Sequence, residues 1–323
     1  MKVLITGAAG FLGSHLTEKL VELGNDVRVL VHYDSNNNWG WLEQSKYKKN
    51  IDFVVGDIRD YDSVFSAMKG VDEVFHLAAL IGIPYSYLSP LAYIKTNIEG
   101  TYNVIQSARQ LNTKNIIITS TSETYGSAQY TPMDEDHPKV GQSPYSATKI
   151  GADNLALSFH KSFGLPIKIV RPFNIYGPRQ SARAIIPTIA IQILNDVNVI
   201  KLGNLDAKRD LTFVKDTVMG FIEISKQDQF NGDSVNIGMN EEVSIKELVQ
   251  KISKITNKEV KIEIDKQRVR PNKSEVDRLL CNNKKLIENS NWKPSYNLDK
   301  GLKETINWLE ENKKLFKHNI YNT

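Results

Sequence analysis

The sequence predicts an α/β fold: a doubly wound parallel sheet followed by a smaller C-terminal α/β lobe. Three observations carry this. Short β-branched runs alternate with longer amphipathic stretches through the first half, the pattern of strands joined by helical crossovers. Several of those runs are apolar almost throughout, as strands covered on both faces must be. A glycine-rich turn joins the first run to the first amphipathic stretch.

Val3-Leu4-Ile5 is the first strand, and 11–23 is the first helix. Gly24 stops that helix, because glycine accepts the left-handed backbone that ends one. Val27-Arg28-Val29-Leu30-Val31 is the second strand. Phe53-Val54-Val55, Val74-Phe75-His76-Leu77, Ile116-Ile117-Ile118-Thr119 and Ile167-Lys168-Ile169-Val170 follow, with helical patterns at 60–68, 92–111 and 145–163. After Gly177 the rhythm changes, and Pro178, Pro187 and mixed polar segments mark a second lobe. The division expected is 1–175 for the first domain and 176–323 for the second. A segment near 211–240, holding Ser234-Val235-Asn236-Ile237-Gly238, is expected to return to the first sheet. The stretch 298–315 is expected to be a capping helix.

Bulk properties narrow the function. Of 323 residues, 41% are hydrophobic and 24% charged, a globular composition too long for one small domain. A formal charge of +4 suits an anionic small molecule but not nucleic acid, which selects dense basic stripes. Cys281 is the one cysteine, so no intramolecular disulfide forms and a reducing, cytoplasmic setting is expected. The chain opens on a strand-like run with no charged leader. No apolar stretch approaches the roughly 20 residues of a membrane span. His15, His32, His76, His137, His160 and His318 show no paired metal-ligand spacing, and no metal is expected. There is neither a nucleophile elbow nor a Walker-type loop.

Gly7-Ala8-Ala9-Gly10-Phe11-Leu12-Gly13 lies between the first strand and first helix. Its glycines allow a tight turn and close approach to a pyrophosphate, and the helix N-terminus offers amide groups to that anion. The spacing departs from Gly-x-Gly-x-x-Gly, and a tight turn without ligand is the plain alternative. Asp57, after Gly56 and before Ile58, ends the third strand where a carboxylate can accept from an adenine amino group. Leu77-Ala78-Ala79 ends the fourth with small residues that leave room for a cofactor. The second strand ends on Val31, with His32, Tyr33 and a late Asp34. It has neither a well-placed acid for ribose hydroxyls nor an arginine for a 2′-phosphate, so NAD and NADP both stay open.

Tyr145-Ser146-Ala147-Thr148-Lys149 follows Ser143-Pro144, a helix-start signal. Tyr145 and Lys149 then stand one turn apart on one face. A phenol with a pKa of about 10 is a poor base at neutral pH unless a cation helps it ionise. Ser120-Thr121-Ser122-Glu123-Thr124-Tyr125-Gly126 closes the fifth strand at the same sheet edge. Three hydroxyls and one acid there suit gripping a sugar and moving its protons. An ordinary polar turn and a surface Tyr–Lys pair are the alternatives.

These features, with Thr96-Asn97 and Arg171-Pro172-Phe173-Asn174-Ile175-Tyr176-Gly177-Pro178, resemble the extended short-chain dehydrogenase/reductase family over essentially the whole chain. The resemblance implies a Rossmann-type fold with a smaller substrate lobe. It implies a dinucleotide held by Gly7, Gly10, Phe11, Leu12, Gly13, Asp57, Ile58, Leu77, Ala78, Ala79, Tyr145 and Lys149. Tyr145 is then the base, Lys149 orients the nicotinamide ribose and eases the tyrosine's ionisation, and Thr121 holds the sugar's C4 oxygen. Thr121-Ser122-Glu123 resembles the catalytic trio of nucleotide-sugar 4,6-dehydratases, many of which carry Asp in place of Ser122. Tyr33-Asp34-Ser35 and Asn38-Trp39-Gly40-Trp41-Leu42 resemble the N-acetylglucosamine nucleotide 4,6-dehydratases of legionaminic-acid biosynthesis. Packing the loop onto the sheet is the plain role for Trp39 and Trp41.

The implied substrate is GDP- or UDP-N-acetylglucosamine. Tyr145 takes the C4 hydroxyl proton while C4 is oxidised, Glu123 removes the C5 proton, and the C6 hydroxyl leaves as water. With Asp absent, either Glu123 or Ser122 through a relay protonates that oxygen. Hydride then returns to C6, so NAD or NADP is tightly held and regenerated each turn. Asn174, Arg209 and Arg270 match the family's sugar- and diphosphate-binding positions, and arginine's planar fork suits phosphate. The helices at 92–111 and 145–163 would form a four-helix homodimer interface. UDP-glucuronate decarboxylase and 4-epimerase are the enzymatic alternatives, although no basic residue stands beside Tyr145 in sequence as a decarboxylase needs. A cofactor-sensing regulatory protein is the non-enzymatic one.

Overall fold

The computed structural model describes residues 1–269, 271–317 and 320. Its centre is a sheet of β1 (Lys2–Thr6), β2 (Asp26–Val31), β3 (Ile51–Val55), β4 (Glu73–His76), β5 (Asn115–Thr119), β6 (Ile167–Pro172) and β7 (Asp233–Ile237). The order is β7-β6-β5-β4-β1-β2-β3, and every pair is parallel. β1 bonds to both β2 and β4, so the winding reverses there. The reversal opens a crevice at the carboxyl ends of the strands, where open α/β sheets bind ligands.

The helices are α1 (Phe11–Glu22), α2 (Tyr61–Met68), α3 (Gly100–Leu111), α4 (Pro144–Phe163), α5 (Ile185–Leu194), α6 (Val214–Ser225), α7 (Ile245–Thr256) and α8 (Leu298–Glu311), besides shorter turns. Strand side chains alternate between the two faces. Val3 and Ile5 therefore meet Leu16 and Leu20 of α1 and Phe221 of α6 on one face. Leu4 meets Val64 of α2, Val104 of α3 and Ala156 of α4 on the other. A second core gathers Ile186 and Ile189 of α5, Leu248 and Ile252 of α7, and Leu302 and Ile306 of α8.

Local signals set the helix limits. Asp60 caps α2 by accepting from the Asp62 amide at 3.3 Å. Ser143 and Ser146 form a reciprocal capping box at the start of α4, which satisfies amides that the first turn leaves open. Gly164 closes α4 at φ +69°, a region costly for residues with a Cβ.

The helix expected over 92–111 is present and unbroken from Pro90 to Leu111, but it is not α-helical throughout. A short helix, Pro90–Tyr93, passes through a π-turn at Ile94–Glu99 before α3 begins. The cause is Asn97. Its side chain accepts from the Leu80 amide at 2.9 Å and donates to the Leu80 carbonyl at 3.0 Å and to Thr148 Oγ1 at 3.1 Å. Widening the turn lets one buried side chain pin the loop after β4 to α4, and such bulges recur near functional sites.

The loop after β2 packs as its aromatic content suggests. Trp39 stacks on Phe53 of β3 at 5.5 Å, and Trp41 meets Trp308 of α8 edge-on at 5.4 Å. The Trp41 amide donates to the Ala9 carbonyl at 3.1 Å.

Candidate active site

A cleft of about 1090 Å³ runs along the carboxyl edge of the sheet and continues between the two cores. The glycine turn forms its floor. Gly7 sits at φ +72°, and a Cβ there would lie 2.7 Å from the Ala78 nitrogen. A Cβ on Gly13 would lie 2.2 Å from the Gly7 carbonyl oxygen. Both contacts are with backbone, so neither position can take a side chain without moving the turn. Thr6 Oγ1 accepts from the Leu77 and Ala78 amides at 3.2 and 3.1 Å and holds β4's end against the turn. The opening of α1 by Gly10, Phe11, Leu12 and Gly13 faces the cleft. Small residues, helix-start amides and a crevice at the winding reversal fit a dinucleotide.

Asp57 and Ile58 line the same end. Asp57 is not a free acceptor. Arg59 donates to both its oxygens, Nε to Oδ1 at 3.0 Å and Nη2 to Oδ2 at 2.5 Å, and holds its carboxyl down at about 2. Asp34 accepts from the Asn36 amide at 2.7 Å, which ties its carboxylate to its own loop.

At the other end, Thr121, Ser122, Glu123 and Tyr145 line the wall together. Thr121 caps the short turn Ser122–Tyr125 by accepting from the Glu123 amide at 3.2 Å. Ser120 points away, since its hydroxyl donates to buried Asp153 at 2.6 Å. The Tyr145 ring packs edge-on against Tyr93 at 6.3 Å. Burial pushes the Tyr145 phenol above its ordinary value, a Thr121 hydrogen bond opposes this, and Glu123 adds to the rise.

Lys149 is buried one helical turn from Tyr145, and its Nζ donates to the Thr119 carbonyl at 2.6 Å. A Thr121 hydrogen bond eases Tyr145 toward the phenolate. The pairing of i and i+4 was legible in the sequence, but the nearer carbonyl was not.

Asn174 and Arg209 also line the cleft, and Asn174 Oδ1 is buried with no protein partner. Arg209 Nη2 pairs with Glu275 at 3.3 Å. Arg270 falls outside the described residues. Two cleft arginines carried no sequence signal, Arg183 and Arg268. A Cβ on Gly82 would come within 2.4 Å of Arg183 Nη1, so the guanidinium occupies space that glycine leaves. Arg183 stands near enough to Tyr93 to act on its phenol. A basic residue therefore lines the cleft near Tyr93, whose ring packs against Tyr145, although none stands beside Tyr145 in sequence. Among the described residues no group of His, Cys, Asp and Glu is placed to hold a metal. Among those residues no helix is long and apolar enough to cross a membrane.

The sheet order, the glycine turn and the Tyr–hydroxyl–carboxylate wall define an NAD-dependent epimerase/dehydratase of the short-chain dehydrogenase/reductase type. Residues 4–305 match the family model described as GDP-mannose 4,6 dehydratase, and the chain belongs to that family. It is 33% identical over 96% of its length to UDP-N-acetyl-alpha-D-glucosaminuronate decarboxylase of Bacillus cytotoxicus, covering 98% of that protein. A dTDP-glucose 4,6-dehydratase from Streptomyces venezuelae, solved with NAD and TYD bound, superposes with a TM-score of 0.87 at 26% identity, covering 98% and 99% of the two chains. A UDP-glucuronic acid 4-epimerase from Bacillus cereus, solved as a mutant with a UDP-sugar and NAD, gives 0.89 at 26% identity, covering 97% and 100%. The family comprises nucleotide-sugar dehydratases, decarboxylases and epimerases, and the two solved relatives just described hold NAD.

Proposed function

We propose that the protein is a nucleotide-sugar 4,6-dehydratase acting on GDP- or UDP-N-acetylglucosamine to give the 4-keto-6-deoxy sugar. The observation that carries this is Glu123, set in the cleft wall with Thr121 and close enough to Tyr145 to act on its phenol. Oxidation and return at C4 need only Tyr145 and a hydroxyl. A carboxylate beside them supplies the second base that elimination across C5 and C6 requires.

A bound NAD or NADP would supply hydride exchange between C4 and C6 of the sugar, which requires that it stay held through the cycle. Thr121 positions the C4 oxygen, and Tyr145 removes its proton. The new ketone acidifies C5, and Glu123 takes that proton. Protonated Glu123 gives its proton to the C6 oxygen, which leaves as water, and C5 takes a proton from solvent as Tyr145 gives up the one it removed from the C4 hydroxyl. Buried Ser122 is a relay at most. Lys149 would hold the nicotinamide ribose, and Gly7, Gly10 and Gly13 would cradle the cofactor's diphosphate. Asn174 and Arg209 hold the substrate's sugar and diphosphate.

The test is incubation with UDP- and GDP-N-acetylglucosamine, followed by mass and proton NMR. Loss of one water with a new C6 methyl is expected. Inversion at C4 without mass change would sink the reading. Arg183 gives the decarboxylase alternative a specific basis, since a cation there can hold a C6 carboxylate. Release of carbon dioxide from a UDP-uronate, with no water lost from the hexosamine donors, would decide for it.

A further inference from the structure

His76 ends β4 and stands beside Thr6, its partner at the end of β1 in the parallel sheet. It is buried and does not line the cleft. Its ring is engaged at both nitrogens. Nδ1 lies 2.8 Å from Thr6 Oγ1, and Nε2 lies 3.1 Å from Thr101 Oγ1 on α3. Thr101 Oγ1 donates in turn to the Asn97 carbonyl at 2.6 Å. The Asn97 side chain donates to Thr148 Oγ1 on α4, and Thr148 Oγ1 donates to the Tyr145 carbonyl at 2.7 Å. At the other end, Thr6 Oγ1 accepts from the Leu77 and Ala78 amides, which lie against Gly7. A chain of buried polar groups therefore runs from the floor of the dinucleotide turn to the peptide of Tyr145.

Donor counting fixes the protons along it. A hydroxyl has one hydrogen to give and two lone pairs that accept. Thr101 gives its hydrogen to a carbonyl, which cannot donate, so it accepts from His76 and Nε2 carries hydrogen. Thr6 uses both lone pairs on the two amides, so its own hydrogen points at Nδ1, which is bare. A proton on Nδ1 would face an oxygen with no lone pair left. Burial disfavours the imidazolium as well. The neutral Nε2–H tautomer satisfies every member of the chain, and a fully satisfied buried network holds one geometry.

We propose that His76, as this tautomer, is a positioning residue that sets the register between the dinucleotide turn and the helix carrying Tyr145 and Lys149. It touches neither cofactor nor substrate. Its effect comes through the length of a dinucleotide, which spans both elements: the diphosphate on the glycine turn, the nicotinamide ribose at Lys149. If the turn slides against α4, the two ends can no longer be held at once. The inference rests on the assignment of the turn and Lys149 to the cofactor, and not on which sugar reaction follows.

Two measurements on the full-length protein test it. NMR of ¹⁵N-histidine, assigned with His76→Phe, should show hydrogen on Nε2 and a bare Nδ1, unchanged from about pH 5 to 8, where an ordinary histidine titrates. Calorimetry on protein freed of nucleotide should compare NAD, which spans both elements, with ADP, which reaches only the turn. Thr101→Val removes the middle link. It should weaken NAD about ten-fold and leave ADP affinity at the wild-type value. Thr101→Ser returns the hydroxyl and should restore NAD. If Thr101→Val does not fold, His76→Phe, which severs the chain on both sides, should show the same split. Hydrogen on Nδ1, unchanged NAD affinity, or equal weakening of NAD and ADP would overturn the proposal. Neither readout needs a sugar, so absence of the 6-deoxy product would remove the dehydratase reading and leave this one standing.

Discussion

At the residue scale, the site separates two kinds of proton transfer. Tyr145 serves a hydroxyl, and Glu123 serves a carbon acid. The paired prediction follows. Tyr145→Phe should lower turnover by roughly 10²- to 10⁴-fold, the usual worth of a positioned base, with NAD affinity changed little. Glu123→Gln should still exchange hydride at C4 but lose the 6-deoxy product. Rapid quench with deuterium tracing distinguishes the two losses, and a normal yield of 6-deoxy sugar from Glu123→Gln would remove it as the C5 base. Tyr145, Glu123 and the glycines were readable from spacing because each sits on one side of one strand end or helix start. Arg183 and Asp153 were not. Arg183 fills the space at Gly82 across 101 positions, and Asp153 pairs with Arg171 across 18, which no local pattern encodes.

At the element scale, most of the architecture was legible. Strands buried on both faces write themselves as apolar runs, and β1 through β6 follow from that alone. The stretch 92–111 reads as one helix because its apolar period continues across Asn97. The π-turn arises from a tertiary demand, the amide pair between Asn97 and Leu80, so periodicity could not reveal it. The outer faces of α3 and α4 carry a joined aromatic patch. Tyr102 meets Phe159 at 6.3 Å, Phe159 meets Phe163 at 5.1 Å, and the Arg109 guanidinium lies 3.7 Å over Phe163. Tyr102 and Phe163 are 41% and 47% exposed, more than large aromatics keep without a partner surface. We propose that this patch pairs with its copy in a homodimer. Sedimentation should give a dimer, and Tyr102→Lys with Phe163→Lys should give a folded monomer. A wild-type monomer at micromolar concentration would refute the pairing.

At the scale of the whole molecule, two buried histidines work against stability in acid, while buried Asp210, raised by burial to about 7, works the other way. Burial, with Lys149 nearby, pushes His76 down to about 3. Burial, outweighing a Pro178 carbonyl contact, pushes His15 down to about 4. Unfolded, each binds a proton near pH 6.5. Between those values the unfolded chain carries protons that the native state does not, so stability rises with pH. The histidine contribution should therefore fall as pH drops from about 6.5 toward 4, by up to about 1.4 kcal/mol per unit for each neutral histidine. His15→Asn should flatten part of that slope in urea melts. Equal slopes for variant and wild type would show that His15 protonates freely in the native state.

The contact between Trp41 and Trp308 has an optical consequence. The chain has four tryptophans. Trp41 and Trp308 meet where the glycine turn reaches α8, while Trp39 stacks on β3 and buried Trp292 donates its indole N–H to the Asp216 carbonyl at 2.8 Å. Intrinsic emission is thus in part a built-in gauge of that junction, set over a background from Trp39 and Trp292. Any ligand that tilts α8 against the Ala9 turn will write itself into the fluorescence without a label.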